Sequence, residues 1–221
     1  MDDKTLVYIY YFLIIGDSKA CLLRRELNKS HLDVQIQFIC RGGASFREQF
    51  FYLQNNLHRF SRNSVFFIFL GTCDLTTKRG PFIELNPDDE SSLRQILHYI
   101  DRFNALVHWH GSKIVFLEIP PYSSVQWNSS KGHRTPNHFI SQDKVLSHRL
   151  ALANERIQEV NYRNSVISSR FRLAVLRCHS SKRGKRHTVN YNWYVDGVHP
   201  SVVLCRYWLR NILTAINSHC H

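Results

Sequence analysis

A serine at position 18 lies where the sequence changes from an apolar run to a helix-forming run, in Ile14-Ile15-Gly16-Asp17-Ser18-Lys19-Ala20. A strand, a sharp turn at Gly16 and a helix would lift the hydroxyl of Ser18 clear of a sheet and place it at a helix N-terminus. Free backbone N–H groups and the positive end of the helix dipole favour a developing oxyanion there, which suits acyl transfer. Serine is also a common helix N-cap, so the turn by itself leaves a purely structural role open.

A candidate base for this serine follows near the other end of the chain, in Asp196-Gly197-Val198-His199-Pro200. A carboxylate three residues before a histidine can hold the tautomer of the imidazole and stabilise the imidazolium that forms when the ring takes the serine proton. His199 is therefore the leading candidate base among the thirteen histidines. The alternative is a loop histidine that caps the final helix.

The elements that must position these residues alternate between strand and helix. Apolar runs predict strands over residues 6–15, 34–40, 65–70, 113–119 and 171–176. Apolar residues at helical spacing predict helices over residues 19–28, 46–57, 93–107, 143–161 and 202–216. This alternation predicts one α/β domain over residues 1–221, a three-layer α/β/α sandwich with a five-stranded parallel sheet. In such sheets ligands bind beyond the C-terminal ends of the strands, where Ser18 would lie.

Two polar segments without periodicity are predicted to be loops. Residues 122–142 would form a long loop over the strand ends, and residues 179–192 a basic loop near the mouth of the cleft. Three roles are open for the basic loop: a solvated surface, a phosphate-binding or nuclear-targeting patch, or part of a substrate rim. Its candidate contacts to phosphate or nucleic acid are Lys182, Arg183, Lys185 and Arg186.

The amino-acid composition indicates what kind of partner the protein binds and in which cellular compartment it works. A net charge of +12 predicts a positive surface potential that attracts nucleic acid or another polyanion, acidic lipid or an anionic substrate. Six cysteines form no C-x-x-C pair, which indicates reduced thiols and an intracellular protein, cytoplasmic or nuclear.

Residues 6–15 are apolar enough to resemble part of a signal peptide. They follow Asp2 and Asp3, however, and lack a small-residue cleavage site. The run is also too short to span a bilayer. We therefore expect a buried strand and no stable membrane insertion, with a signal or anchor as the alternative.

Four blocks across nearly the whole chain resemble the SGNH (GDSL-like) hydrolase family. They are Gly16-Asp17-Ser18, Arg41-Gly42-Gly43, Gly71-Thr72-Cys73-Asp74 and the segment from Asp196 to His199. The resemblance implies a flavodoxin-like architecture, an acyl-ester substrate, no cofactor and no metal, and a catalytic triad of Ser18, Asp196 and His199. Asp17 and Asp74 would be structural carboxylates that bind backbone N–H groups.

The resemblance also implies an oxyanion hole. Its donors would be the backbone N–H groups of Ser18 and Gly43, with Gly42 as the alternative in register, and the side chain at position 73. The family has asparagine in that place, whereas this chain has Cys73, whose thiol is a feeble donor. Two functions follow: a serine esterase or deacylase, or a catalytically impaired SGNH-like domain, of a kind also found in retroelement-encoded proteins, that binds nucleic acid or protein. Cys73 as the nucleophile is a further alternative.

Two histidine pairs could ligate a metal ion. They are His108-Trp109-His110 and His219-Cys220-His221. Neither pair has a companion at the spacing of a zinc site, so a helix end and a chain terminus account for them.

Overall fold

The computed structural model describes residues 11–29, 35–181 and 184–219. Its strands are β1 (Tyr11–Gly16), β2 (Ile36–Cys40), β3 (Ser64–Phe69), β4 (Thr76–Arg79), β5 (Phe82–Leu85), β6 (Lys113–Phe116), β7 (Leu176–Ser181) and β8 (Gly184–Val189). Its helices are α1 (Ser18–Lys29), α2 (Phe46–Asn56), α3 (Thr72–Leu75), α4 (Asp89–His110), α5 (Ser124–Ser130), α6 (Ile140–Arg163) and α7 (Val202–His219). Short 3-10 helices cover Leu57–Arg59, Pro136–Phe139, Phe171–Val175 and Tyr191–Trp193.

The central sheet is parallel and has the strand order β2-β1-β3-β6. The chain leaves β1 toward β2 on one side and later adds β3 on the other side of β1. The carboxyl ends of β1 and β3 therefore flank the point at which the strand order reverses, which is where open α/β sheets bind ligands. Ser18 follows β1 and Cys73 follows β3 at this point.

Alternate side chains of the strands enter two cores on opposite faces of the sheet. Leu13 and Ile15 of β1 pack with α2, α4 and α6. Phe12 and Ile14, which point the other way, pack with α1 and α7. A strand that is buried on both faces has a continuous run of apolar residues, and for this reason the sequence predicted β1 and β3 as strands.

The prediction of a five-stranded sheet was wrong, because the described residues contain four parallel strands. The expected fifth strand, residues 171–176, forms a 3-10 helix over Phe171–Val175. The ring of Phe171 is stacked on Trp208 with the centroids 5.2 Å apart. At the outer edge of β6, the side-chain amide of Asn161 accepts the N–H of Phe116 at 2.9 Å and donates to its carbonyl at 2.7 Å. A side chain of α6 thus takes the hydrogen bonds that a fifth strand would make there.

The two segments predicted as loops contain regular structure. Residues 122–142 contain α5, a 3-10 helix and the start of α6. Residues 179–192 lie largely in an antiparallel hairpin of β7 and β8, whose register pairs Leu176 with Val189. Lys182 and Arg183 lie outside the described residues, as do residues 6–10 and 34 of the predicted strands, and Lys185 and Arg186 belong to β8. Among the described helices, none is long and apolar enough to cross a membrane.

Candidate active site

Ser18 is the first residue of α1, and only Asp17 separates it from the end of β1 at Gly16. Gly16 makes this turn possible, because a Cβ atom there would lie 2.5 Å from the Cβ of Ala20 and 2.8 Å from the carbonyl oxygen of Phe69. Any other residue would push α1 away from β3. The glycine therefore sets how closely the helix that carries Ser18 approaches the sheet.

The two residues that flank Ser18 in the sequence, Asp17 and Lys19, form a buried ion pair. The side chains of Asp17 and Lys19 are 0% and 1% exposed, and the Lys19 ammonium lies 2.7 Å from Asp17 Oδ2. Asp17 Oδ1 accepts the backbone N–H of Lys19 at 2.9 Å, and Lys19 Nζ also donates to the hydroxyl of Thr72. These bonds join the turn at Ser18 to the segment after β3.

The sequence analysis did not identify Lys19 as a buried residue, although a signal was present. Lys19 lies four residues before Leu23 and eight before Leu27, so it shares their helix face. Leu22 of the same helix is partly buried against the core and also lines a cavity described below.

The structure brings His199 and Asp196 to Ser18. His199 Nε2 lies 3.0 Å from Ser18 Oγ, and His199 Nδ1 lies 2.8 Å from Asp196 Oδ2. Because an ionised carboxylate only accepts hydrogen bonds, the proton of the neutral ring is on Nδ1, and Nε2 is left to accept from the serine hydroxyl. The three side chains form the hydrogen-bonded chain that nucleophilic catalysis by serine requires.

Asp196 is held ionised by the residues that follow it. Its Oδ1 accepts the backbone N–H groups of Val198 at 3.1 Å and His199 at 2.8 Å. Burial by itself would raise the pKa of the Asp196 carboxyl, but hydrogen bonds from the side chain and backbone of His199 outweigh burial, and the pKa lies below its ordinary value. The carboxylate is thus available to stabilise an imidazolium.

The turn from Asp196 to His199 rests on helix α5. Gly197 has φ +85°, and a Cβ atom there would lie 2.3 Å from the Cβ of Gln126. The carbonyl of Gly197 accepts the N–H of Ser123 at 3.0 Å. The ring of Trp127 lies beside that of His199, with the centroids 5.5 Å apart. Helix α5 thus supports the imidazole, a role that the loop prediction for residues 122–142 missed.

Asp143 fixes the start of α5. It accepts the N–H of Ser124 at 2.8 Å and the hydroxyl of Ser123. Burial raises the pKa of the Asp143 carboxyl, and the hydrogen bonds from Ser123 and Ser124 oppose that shift. Because the sequence places Asp143 inside a predicted helix, only the fold shows that it caps another helix.

The second and third blocks meet beside the start of α1. Gly43, at φ +79°, is in a turn in which Ala44 N–H donates to Arg41 O at 3.2 Å. Asp74 accepts the N–H of Phe46 at 3.0 Å and so ties the segment after β3 to the start of α2.

Cys73 lies in α3, next to Asp74. Burial, and secondarily the charge of Asp17, raises the pKa of the Cys73 thiol to about 11. The thiol is therefore protonated at neutral pH and is a poor nucleophile.

A cavity of about 440 Å³ opens at the Ser18 hydroxyl. Its walls come from the start of α1, the turn before α7 and the first residues of α7. The lining residues are Ser18, Cys21, Leu22, Arg25, Gly42, Val195, Asp196, His199, Pro200, Val202 and Cys205. Of the predicted oxyanion residues, Ser18 and the alternative Gly42 belong to this wall, whereas Gly43 and Cys73 do not.

No group of three or more histidine, cysteine, aspartate or glutamate side chains that could hold a metal occurs within residues 11–29, 35–181 and 184–219. His108 and His110 lie in the last turn of α4. His108 Nδ1 is 2.8 Å from the carbonyl oxygen of Asn104, and His110 Nδ1 is 2.9 Å from Ser112 Oγ. Cys220 and His221 lie outside the described residues.

No family model matches the sequence, and no curated protein matches it. Solved structures do match the fold. A GDSL-like lipase from Bacteroides thetaiotaomicron has a TM-score of 0.66 at 12% identity, covering 99% of this chain and 93% of its own. A lipase/acylhydrolase from Enterococcus faecalis has a TM-score of 0.57 at 14% identity, covering 95% and 96%. The esterase EstA from Pseudoalteromonas, in a structure inhibited by monoethylphosphonate, has a TM-score of 0.53 at 13% identity, covering 94% and 97%. The chain therefore has the α/β fold of SGNH and GDSL-like hydrolases, with a parallel sheet flanked by helices.

Proposed function

We propose that this protein is a serine esterase or deacylase of the SGNH type, which hydrolyses a carboxylic ester through an acyl-enzyme on Ser18. The observation that carries the proposal is the hydrogen-bonded chain of Ser18 Oγ, the His199 ring and Asp196, with distances of 3.0 and 2.8 Å, at the end of an open cavity. The hydrolase neighbours support it through their fold.

In the first half of the reaction Ser18 Oγ attacks the ester carbonyl while His199 Nε2 takes the hydroxyl proton. The imidazolium that forms is stabilised by Asp196, which already binds the Nδ1 proton. His199 then gives its proton to the departing alcohol and leaves the acyl group on Ser18. In the second half His199 activates a water molecule, which releases the acid and restores Ser18.

The oxyanion of each tetrahedral intermediate is assigned to the start of α1. The backbone N–H of Ser18 lies at the positive end of that helix, where donors favour negative charge. A second N–H would come from the turn at Gly42 and Gly43. The resemblance to SGNH hydrolases would add an asparagine amide at position 73. Cys73 offers only a feeble thiol donor and does not line the cavity, so we expect a slower enzyme than one with that amide.

Ser18 is a better nucleophile candidate than Cys73 in this site. The thiol of Cys73 is protonated at neutral pH, and Cys73 does not belong to the cavity wall. The hydroxyl of Ser18 has a base within hydrogen-bonding distance.

The test is hydrolysis of p-nitrophenyl butyrate by the wild-type protein and by Ser18→Ala and His199→Ala. We expect each substitution to lower kcat by about 10³-fold or more, because members of a triad act as a unit. Matched controls are Ser147→Ala and His148→Ala, exposed residues of α6, which should keep the wild-type rate. A wild-type protein without activity toward activated esters, or a Ser18→Ala variant with full activity, would overturn the proposal.

A further inference from the structure

The cavity at Ser18 extends along one face of α1. Ser18, Cys21, Leu22 and Arg25 follow one another at helical spacing and all line it. Seven residues of an α-helix rise about 10 Å, so Arg25 lies about that far along the helix from Ser18. The opposite wall comes from Val195, Pro200, Val202 and Cys205.

The wall changes in chemistry along its length. Between the Ser18 hydroxyl and Arg25 its side chains are mostly apolar or thiol groups, which suit a hydrocarbon chain. The far end carries the Arg25 guanidinium, whose side chain is 60% exposed. Arg25 lines the cavity together with Ser18 and Leu22 of the same helix.

The guanidinium shares its acidic neighbour, Glu26, with two other cations. Arg25 Nε lies 3.9 Å from Glu26 Oε1, which is too long for a hydrogen bond. The Glu26 carboxylate, 1% exposed, is already paired with Lys29 at 3.2 Å and with Arg206 at 3.4 Å. Three cations thus surround one buried carboxylate, and the local charge is positive.

Positive charge continues beyond Arg25. A second groove of about 720 Å³ lies further along the same two helices, α1 and α7. Lys29, Arg206 and Arg210 line it together with Glu26. An anionic group at the end of the first cavity would therefore meet the Arg25 guanidinium directly, and the neighbouring groove adds further positive charge beyond it.

We infer that the cavity selects esters whose apolar acyl chain ends in an anionic group, which the Arg25 guanidinium binds. The acyl chain is the part of the substrate that stays joined to Ser18, and the helix that Ser18 begins forms the wall along which that chain would lie. The anion is a carboxylate or a group of similar charge, which the fork of a guanidinium matches. This inference rests on the proposed function, because it assigns the acyl chain of the same reaction.

The test compares p-nitrophenyl monoesters of adipic and suberic acid with p-nitrophenyl hexanoate and octanoate, which have the same chain lengths. We expect kcat/KM to be about fivefold higher for the anionic esters at low salt, the upper range for a partly exposed ion pair. High salt should reduce this preference, since exposed charges are screened. Arg25→Gln should abolish this preference for the anionic esters.

Arg24→Gln is the matched control. Arg24 is also exposed and carries the same charge, but it does not line the cavity. It should keep the preference for anionic esters. Equal rates for the paired substrates, or a preference that survives Arg25→Gln, would overturn the inference while Ser18-dependent hydrolysis still supported the proposed function.

A binding measurement decides the inference independently of turnover. The Ser18→Ala variant is titrated calorimetrically with monomethyl suberate and with methyl octanoate. Tighter binding of the anionic ester, lost in the Ser18→Ala/Arg25→Gln double variant, supports the anionic site even in a protein that hydrolyses nothing. Equal binding, or binding of neither ester, overturns it.

Discussion

If the proposed function is correct, Asp196→Asn should remove activity and keep the turn that holds the candidate triad. In the structure Asp196 Oδ1 accepts two backbone N–H groups, at 3.1 and 2.8 Å, whereas Oδ2 faces His199 Nδ1 at 2.8 Å. An asparagine can keep the two backbone bonds only if its oxygen takes the Oδ1 position. Its NH₂ group then faces Nδ1, and two donors cannot meet there.

The neutral imidazole must therefore change its tautomer. With Nδ1 accepting from the amide, the proton lies on Nε2, which then cannot take the hydroxyl proton of Ser18. The charge that would stabilise the imidazolium is lost as well. In serine hydrolases this change costs about 10⁴-fold in kcat, or about 5 kcal/mol of transition-state stabilisation.

The assay is kcat for p-nitrophenyl butyrate together with ¹⁵N spectra of the histidine side chains. The spectra should show the proton of His199 on Nδ1 in the wild type and on Nε2 in Asp196→Asn. Asp101→Asn is the control, since Asp101 is an exposed carboxylate that pairs with Arg156 on another face. Activity of Asp196→Asn within tenfold of wild type, or an unchanged tautomer, would show that Asp196 does not set the proton position of His199.

Three further predictions follow from other residues. Cys73→Asn should raise esterase kcat by up to about 10²-fold with little change in KM, since the amide acts on the transition state, while Cys73→Ala should change kcat little. Burial raises the pKa of the Asp74 carboxyl to about 7 from 3.8, so its contribution to stability is complete below about pH 4 and is lost as the pH rises through 7. Asp74→Asn should therefore flatten the fall in the free energy of unfolding over that range, measured by urea denaturation. If the β7–β8 hairpin binds single-stranded nucleic acid, affinity should fall steeply with salt, and a quadruple alanine variant should flatten the logarithmic slope by up to about four units. The four substituted residues are Lys182, Arg183, Lys185 and Arg186.

Each of these predictions has a clear contrary result. Loss of activity in Cys73→Ala with activity kept in Ser18→Ala would make the thiol the nucleophile. An unfolding free energy of Asp74→Asn that depends on pH as in the wild type would show that Asp74 titrates normally. A salt slope unchanged by the quadruple substitution would exclude those four side chains as the contacts.

The sequence predicted the strands whose faces are both buried, but it did not predict the edge of the sheet. β1 and β3 are apolar on both faces because helices cover each side. Residues 171–176 also form a short apolar run, and such a run is equally consistent with a strand or a buried turn. What decides between them is Asn161, 45 residues from Phe116, whose amide occupies the edge of β6. No local pattern carries that information.

The candidate triad could be predicted because its residue types and short spacings specify chemistry. Asp196 and His199 are close in the sequence, so their hydrogen bond was foreseeable. The supporting residues were not, because Trp127 reaches His199 only through the packing of α5, and Asp143 of α6 acts only by fixing the start of α5. The burial of Lys19 could have been inferred from its spacing to Leu23, yet its charge argued against burial.

Covalent labelling measures whether Ser18 is an activated nucleophile. The purified protein is treated with a fluorophosphonate probe, and the modified peptide is identified by mass spectrometry. We expect one adduct, on Ser18, and no adduct in Ser18→Ala. His199→Ala should slow its formation severely, because His199 Nε2, 3.0 Å from Ser18 Oγ, is the base that takes the hydroxyl proton. No adduct, or an adduct on Cys73 or another residue while Ser18 stays unmodified, would contradict the account.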